Sequence, residues 1–292
     1  MVQTRASRTA VLVCQGRAVA DGLMVPDRFS DPIAADLLTP DEREAVERAR
    51  DTTPPSQAAE RLAWERLRAC AEGMVPRTIL IDDAVRAADH RQVVILGAGL
   101  DSRPWRLPEL HTARVFCVDL PASQVDFRRR AEGLNLAVGR VEFVPVDLSS
   151  VSPRDALADL DHDPDSPTTW IWEGVVPYLT REQVEATLGA LSERSALGSI
   201  LVVQYQDRSW IARLGRRLSA FIARRAGLDD PLTDEPWRSL WTPAAFAALL
   251  AADGFLVERD EDLLTTANRI GAQATHRRSL ANGRVVVARR VD

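Results

Sequence analysis

The sequence predicts an α/β fold: a doubly wound, mostly parallel seven-stranded sheet with a helical N-terminal extension and a helical lid insertion. Three observations carry this. Short apolar, β-branched runs recur from residue 92 onward, separated by helical or turn-rich stretches. Such alternation builds a parallel sheet with helices on both faces. The first four runs each end in a glycine turn or an acid, where open α/β sheets bind ligands. The 90 residues before them carry helical periodicity and no strand pattern.

The N-terminal part, residues 1–90, reads as a helical cap. Ala10, Val13, Cys14 and Ala18 fall at helical spacing within 6–20. Asp31-Pro32 starts a short helix over 33–38, with proline suited to its first turn. Thr52-Thr53-Pro54-Pro55 breaks the chain, and two helices follow at 58–72 and 77–88.

Residues 91–292 form the second unit. Strands are expected at 92–96, 114–118, 141–146, 168–172, 199–204, 255–258 and 284–288. Thr180 and Gln183 make a capping-box pair before one helix, with Gly198 beyond its end. Thr242 caps another, with Pro243 at its first position and Gly254 at its close. Asn282-Gly283 is a strong hairpin signal before the last strand, suiting an antiparallel sheet edge. Residues 208–240 interrupt the alternation. Trp210, Ile211, Leu214, Leu218, Phe221 and Ile222 share a helical face, and Arg213, Arg216, Arg217, Arg224 and Arg225 line the rest. This is a solvated amphipathic helix or a lid whose arginines attract an anion.

Composition excludes several classes. The chain has 292 residues, 46% hydrophobic and 27% charged, with formal net charge −5. A basic excess suited to nucleic acid is absent overall. Cys14, Cys70 and Cys117 are too few and too scattered for a disulfide framework or zinc site, and the four histidines show no ligand spacing. No metal is expected. No apolar run reaches membrane-spanning length, so a cytoplasmic protein without membrane or nucleic-acid partners is expected.

The chemistry concentrates at the strand ends. Gly97-Ala98-Gly99-Leu100-Asp101-Ser102 follows the first strand, and glycine lets backbone approach a ligand closely. A GxG turn also fits dinucleotide enzymes. Their fingerprint wants glycine or alanine where Ser102 stands, and the adjacent Asp101 is unfavourable beside a pyrophosphate. An acid is tolerable beside the ammonium of a methionine moiety, which favours S-adenosyl-L-methionine. Asp119 lies 22 residues beyond Gly97, where a carboxylate accepts ribose hydroxyls, and Leu120 follows it. Asp147 is placed to accept from an adenine amino group while Leu148 packs on the ring. Glu173 ends the fourth strand in the same crevice. Structural readings exist beside these: a helix cap for Asp119, a turn aspartate for Asp147, a surface arginine for Arg77 and a core tyrosine for Tyr178.

In their order and spacing these residues resemble the leucine carboxyl methyltransferase family, above all its bacterial branch, over about residues 7–254. The signposts are Arg8-Thr9-Ala10, Asp31-Pro32-Ile33-Ala34, Arg77 leading into Ile81-Asp82-Asp83, and residues 94–103 around the glycine turn. They continue through Val118-Asp119-Leu120-Pro121, Val146-Asp147-Leu148 and residues 173–179. The resemblance implies a class I, Rossmann-like methyltransferase using S-adenosyl-L-methionine. It implies cofactor contacts at Gly97, Asp119, Asp147 and Leu148 and an acid near the cofactor amino group at Glu173; Gly99, Asp101 and Leu120, beside them in the turns, complete the expected cofactor site. It further implies that Arg77 holds a carboxylate, of cofactor or substrate, and that Tyr178 stands on the acceptor side. Arg8 matches a basic cofactor contact only loosely. Eukaryotic members methylate the C-terminal leucine of a protein phosphatase, and bacterial relatives include polyketide O-methylating enzymes.

The expected function is O-methylation of a small-molecule carboxylate or hydroxyl. A carboxylate is ionised at neutral pH and needs no base, whereas a phenol does. No histidine in the sequence has a strong claim to that role. A nicotinamide oxidoreductase and a non-catalytic cofactor-binding protein remain as alternatives at this level.

Overall fold

The computed structural model describes residues 7–148, 151–207 and 237–291. The amphipathic arginine-rich segment lies outside the described residues, apart from 237–240 at its end.

The described residues form one seven-stranded sheet in the order β3-β2-β1-β4-β5-β7-β6. The strands are β1 Gln92–Leu96, β2 Arg114–Asp119, β3 Arg140–Pro145, β4 Thr168–Trp172, β5 Ile200–Gln206, β6 Phe255–Asp262 and β7 Gly283–Arg290. The first five pair in parallel, and β7 runs antiparallel between β5 and β6. β1 and β4 are buried at every position, as strands covered on both faces must be.

Alternation splits the strand residues between two cores. Val93, Ile95, Val115, Cys117 and Ile171 face one side, packed with the N-terminal helices α1 (Arg8–Ala20) to α4 (Ala58–Ala88). Val94, Leu96, Trp170, Trp172 and Val203 face the other, against α7 (Pro153–Ala158), α8 (Arg181–Glu193) and α9 (Pro243–Ala252). The N-terminal helices therefore complete one face of the sheet.

Local chemistry explains most helix boundaries. Ser7 caps α1 by accepting from Ala10 N at 3.0 Å. Thr180 and Gln183 form the expected capping box of α8, and Thr242 caps α9. Short α2 (Ile33–Asp36), α5 (Arg103–Arg106) and α6 (Pro121–Arg130) complete this part of the chain.

Three sequence expectations are revised. Residues 40–50 form α3 (Pro40–Arg50), opened by a Thr39–Glu42 capping box that the periodicity reading passed over. The expected break at 73–76 does not occur: α4 runs unbroken through Pro76. A mid-helix proline forfeits a hydrogen bond, at a cost of roughly 3 kcal/mol. Burial of Met74 through Asp82 in the core outweighs it. Asn282-Gly283 is not a hairpin turn. Asn282 ends α11 (Arg277–Asn282), and Gly283 has an ordinary φ of −80°. β6 and β7 do pair antiparallel, but α10 (Leu263–Arg269) and α11 lie between them.

Gly16 sets the approach of α1 to α4. A Cβ there would lie 2.8 Å from Cys70 Sγ and 3.3 Å from Ala71 N. Gly16→Val should therefore force the helices apart and destabilise the fold by about 1–3 kcal/mol, as overpacking does. Urea unfolding against wild type measures it, and an unchanged midpoint would refute the close-packed crossing.

Candidate active site

Parallel register levels the strand ends. Leu96 pairs with both Val118 and Trp172, and Trp172 with Val203. The residues that follow, Gly97, Asp119, Glu173 and Gln204, thus emerge side by side along one edge. A cleft of about 510 Å³ opens above them. It brings together all ten sequence-predicted site residues: Arg77, Gly97, Gly99, Asp101, Asp119, Leu120, Asp147, Leu148, Glu173 and Tyr178.

The glycine turn is built for close approach. Gly97 and Gly99 have φ of +67° and +52°, a region that side chains rarely adopt. A Cβ on Gly97 would fall 2.3 Å from Val175 Cγ2, and one on Gly99 would fall 3.0 Å from Ala10 Cβ. The N–H groups of Gly97 and Ala98 donate to Val118 O at 2.8 and 3.0 Å. Gly99 N donates to Asp119 Oδ2 at 2.6 Å, and Leu120 N to Asp119 Oδ1 at 2.6 Å. Asp119 thus ties the first turn to the second.

A buried ion network stands behind this wall. Arg77 Nε donates to Glu173 Oε1 at 2.6 Å, and Arg103 Nη1 to Glu173 Oε2 at 2.8 Å. Arg103 also holds Asp101 at 2.5 Å and Asp82 at 2.8 Å. Arg106 reaches Asp82 at 2.6 Å and Asp31 at 3.4 Å. Arg17 Nε lies 2.9 Å from Asp31, and Arg17 Nη2 donates to Leu100 O at 2.6 Å. Four arginines face four acids, every side chain at most 9% exposed. Burial opposes ionisation of Glu173, but Arg77 and Arg103 outweigh it and hold its carboxyl well below the usual range. Burial likewise opposes ionisation of Asp82, and Arg106 and Arg103 depress it.

The placement refines several expectations. Asp101 lines the cleft, yet both its oxygens engage Arg103, one through the backbone N at 2.9 Å. Arg77 is paired with Glu173 through Nε, and its terminal nitrogens stand 3.9 and 4.0 Å from where a Gly174 Cβ would be. Arg8 is exposed, and the α1 cation lining the cleft is Arg17. Sequence reasoning missed Arg17, Arg103 and Arg106 as site supports. The available signal was the recurrence of Asp31, Asp82 and Arg103 among the family signposts. The cleft-lining residues include no histidine. His162 is buried near the opposite strand ends, where burial and Arg194 push it down to about 4.

The glycine cradle, the acid at the β2 end and the depth of the cleft suit a nucleoside-bearing cofactor. The antiparallel β7 between β5 and β6 gives the sheet of class I methyltransferases. Solved structures share this fold: a protein from Thermobifida fusca provisionally named a methyltransferase (TM-score 0.57, 14% identity, 99% of this chain and 96% of that one), and a DUF574-family protein from Streptomyces avermitilis (0.57, 15%, 98% of each). The leucine carboxyl methyltransferase family model matches residues 10–192. A Frankia alni protein provisionally named an S-adenosyl-L-methionine-dependent methyltransferase is 37% identical over 70% of each chain. A similarly named Streptomyces coelicolor protein is 39% identical over 56% of this chain and 58% of its own length. The chain belongs to the leucine carboxyl methyltransferase family, within the S-adenosyl-L-methionine-dependent methyltransferases. This family placement replaces the nicotinamide alternative.

Two outcomes follow from the geometry. Asp119→Ala should weaken S-adenosylhomocysteine binding at least tenfold, about the worth of one charge-assisted hydrogen bond. Calorimetric titration checks it, and unchanged affinity would mean that Asp119 serves only the turn. Asp82→Asn should destabilise the fold at pH 7 by about 3–5 kcal/mol, the usual cost of breaking a buried pair. The Asp82 carboxyl is depressed in the fold, so its contribution is complete above the unfolded carboxylate range, about pH 4, and fades as pH falls further. The gap between wild type and Asp82→Asn in urea unfolding should therefore narrow below about pH 4; a gap independent of pH would contradict the network.

Proposed function

We propose that this chain is an O-methyltransferase acting on a small-molecule carboxylate or hydroxyl, the acceptor of a polyketide-type natural product being one candidate class. The observation that carries the reading is the division of the cleft: Asp119, Asp147 and Leu148 on the β2–β3 side, Tyr178 and Gln183 on the β4–α8 side. The first group suits ribose and adenine, the second an acceptor.

S-adenosyl-L-methionine supplies a methyl group on a sulfonium, a leaving group already activated. The protein then has mostly to align and to exclude water, and positioning alone is worth roughly 7–11 kcal/mol. In this reading Gly97 and Gly99 admit the cofactor to the backbone, and Asp119 and Leu120 flank its ribose. Asp147 and Leu148 hold its base, while Asp101, Glu173 and Arg77 surround the methionine end with balanced charge. Arg77 offers its terminal nitrogens to a carboxylate there. Tyr178 orients the acceptor through its hydroxyl.

Base availability bears on the acceptor. With no histidine among the cleft-lining residues, the candidates are Asp101, Asp119, Asp147 and Glu173. Glu173, held ionised by two arginines, is a poor proton acceptor. A carboxylate acceptor needs none. No nucleic-acid or membrane partner is proposed; no described helix is long and apolar enough to cross a membrane.

Labelled-methyl transfer into extracts of the source organism, followed by identification of the product and the methylated atom, tests the reading. Wild type should yield a labelled small molecule. Tyr178→Phe should lower turnover about tenfold or more with S-adenosylhomocysteine affinity unchanged. Firm cofactor binding without any methylated product would instead favour a non-catalytic cofactor-binding protein.

A further inference from the structure

The buried arginines of the site are matched by acids, one for one. Arg238 is not. It lines the same cleft and is exposed, and among the described residues no carboxylate pairs with it.

Its position is nonetheless fixed. Arg238 N donates to Pro177 O at 2.7 Å, and Ser239 Oγ donates to Val176 O at 2.9 Å. Arg181 Nη2 donates to Leu240 O at 3.0 Å, with its guanidinium 4.1 Å from the Trp241 ring centroid. Trp241 N in turn donates to Gln206 O at 3.1 Å, at the end of β5. Residues 238–241 thus form a strap docked on the 3₁₀ turn Val176–Tyr178. That turn carries Tyr178 and continues the loop begun by Glu173. One loop therefore runs from the charge-balanced methionine end to the tyrosine, and the strap adds a cation at the far end.

We propose that Arg238 is the acceptor-specificity residue, its guanidinium recognising a carboxylate on the small-molecule acceptor. This rests on the O-methyltransferase reading and narrows it to anionic acceptors. A guanidinium presents a planar fork that matches a carboxylate through two parallel hydrogen bonds. In open solvent such a contact is worth little. At the wall of a concave cleft, a seated acceptor displaces water from it and strengthens it. The buried network is charge-balanced and adds no net charge against this, and the other cleft acids, Asp119 and Asp147, stand on the β2–β3 side, away from the Tyr178 side that Arg238 adjoins.

The test uses full-length protein saturated with S-adenosylhomocysteine, titrated calorimetrically with benzoate and hexanoate and with the matching amides. Wild type should prefer each carboxylate over its amide by about tenfold or more. R238Q should abolish the preference, R238K should restore part of it, and all three should bind S-adenosylhomocysteine alike. Absence of a carboxylate preference in wild type, or its survival in R238Q, overturns the proposal. A loss of S-adenosylhomocysteine affinity in R238Q alone also overturns it, by assigning Arg238 to the cofactor end. Failure of wild type to bind S-adenosylhomocysteine is the distinct result that removes the methyltransferase reading itself.

Discussion

The buried arginine–carboxylate network is the constraint on which the site depends. Arg17 belongs to α1 and Asp31 to the loop before α2, Asp82 and Arg77 to α4, Asp101, Arg103 and Arg106 to the segment after the glycine turn, and Glu173 to the end of β4. Each ion is out of water, which costs several kcal/mol before any pairing. The cost is offset only when every partner is present with good geometry. The network therefore does not add stability so much as exclude alternatives: a shifted α4 or displaced glycine turn would strand a buried charge.

This constraint explains why the N-terminal helices belong to the site. The sheet alone supplies acids at its strand ends: Asp119, Asp147 and Glu173. A cleft walled only by these would repel an anionic ligand group. Arg17 and Arg77 bring cations to the same cleft from α1 and α4, Arg77 paired with Glu173 and Arg17 with Asp31. Ser102 adds a neutral link, its hydroxyl donating to Asp31 at 2.6 Å. The serine that disfavours a dinucleotide fingerprint is thus also a joint between the turn and the N-terminal helices.

Much of this was legible in sequence, for identifiable reasons. Strands covered on both faces read as short continuous apolar runs that end in recognisable turns, so β1 and β4 match their expected limits. The predicted residues that follow the parallel strands share one cleft because parallel register converts sequence position after a strand into position along an edge, while Arg77 reaches it from α4. What escaped depends on distance in sequence. Arg103 meets Glu173 across 70 residues, and Arg77 meets it across 96. No local pattern announces such pairs. Local rules also misled where packing overrode them: two helices were expected at 58–72 and 77–88, and burial carries α4 unbroken between them. Asn282-Gly283 suggested a turn, but neither the dihedral of Gly283 nor its neighbours form one.

Charge balance in the network has a further consequence for specificity. A cofactor with an ammonium and a carboxylate brings no large net charge to its methionine end, and a wall of equal arginines and acids suits it. Arg238 has no such balance: it lines the same cleft, and among the described residues no carboxylate pairs with it. Buried, paired ions fix geometry and respond weakly to ligands, because moving them exposes a partner. A cation on a strap, held by its backbone rather than its side chain, keeps its fork free to meet a ligand. The fold thus separates two uses of arginine within one cleft: buried, rigid pairs that fix its wall, and an exposed guanidinium that no carboxylate among the described residues engages.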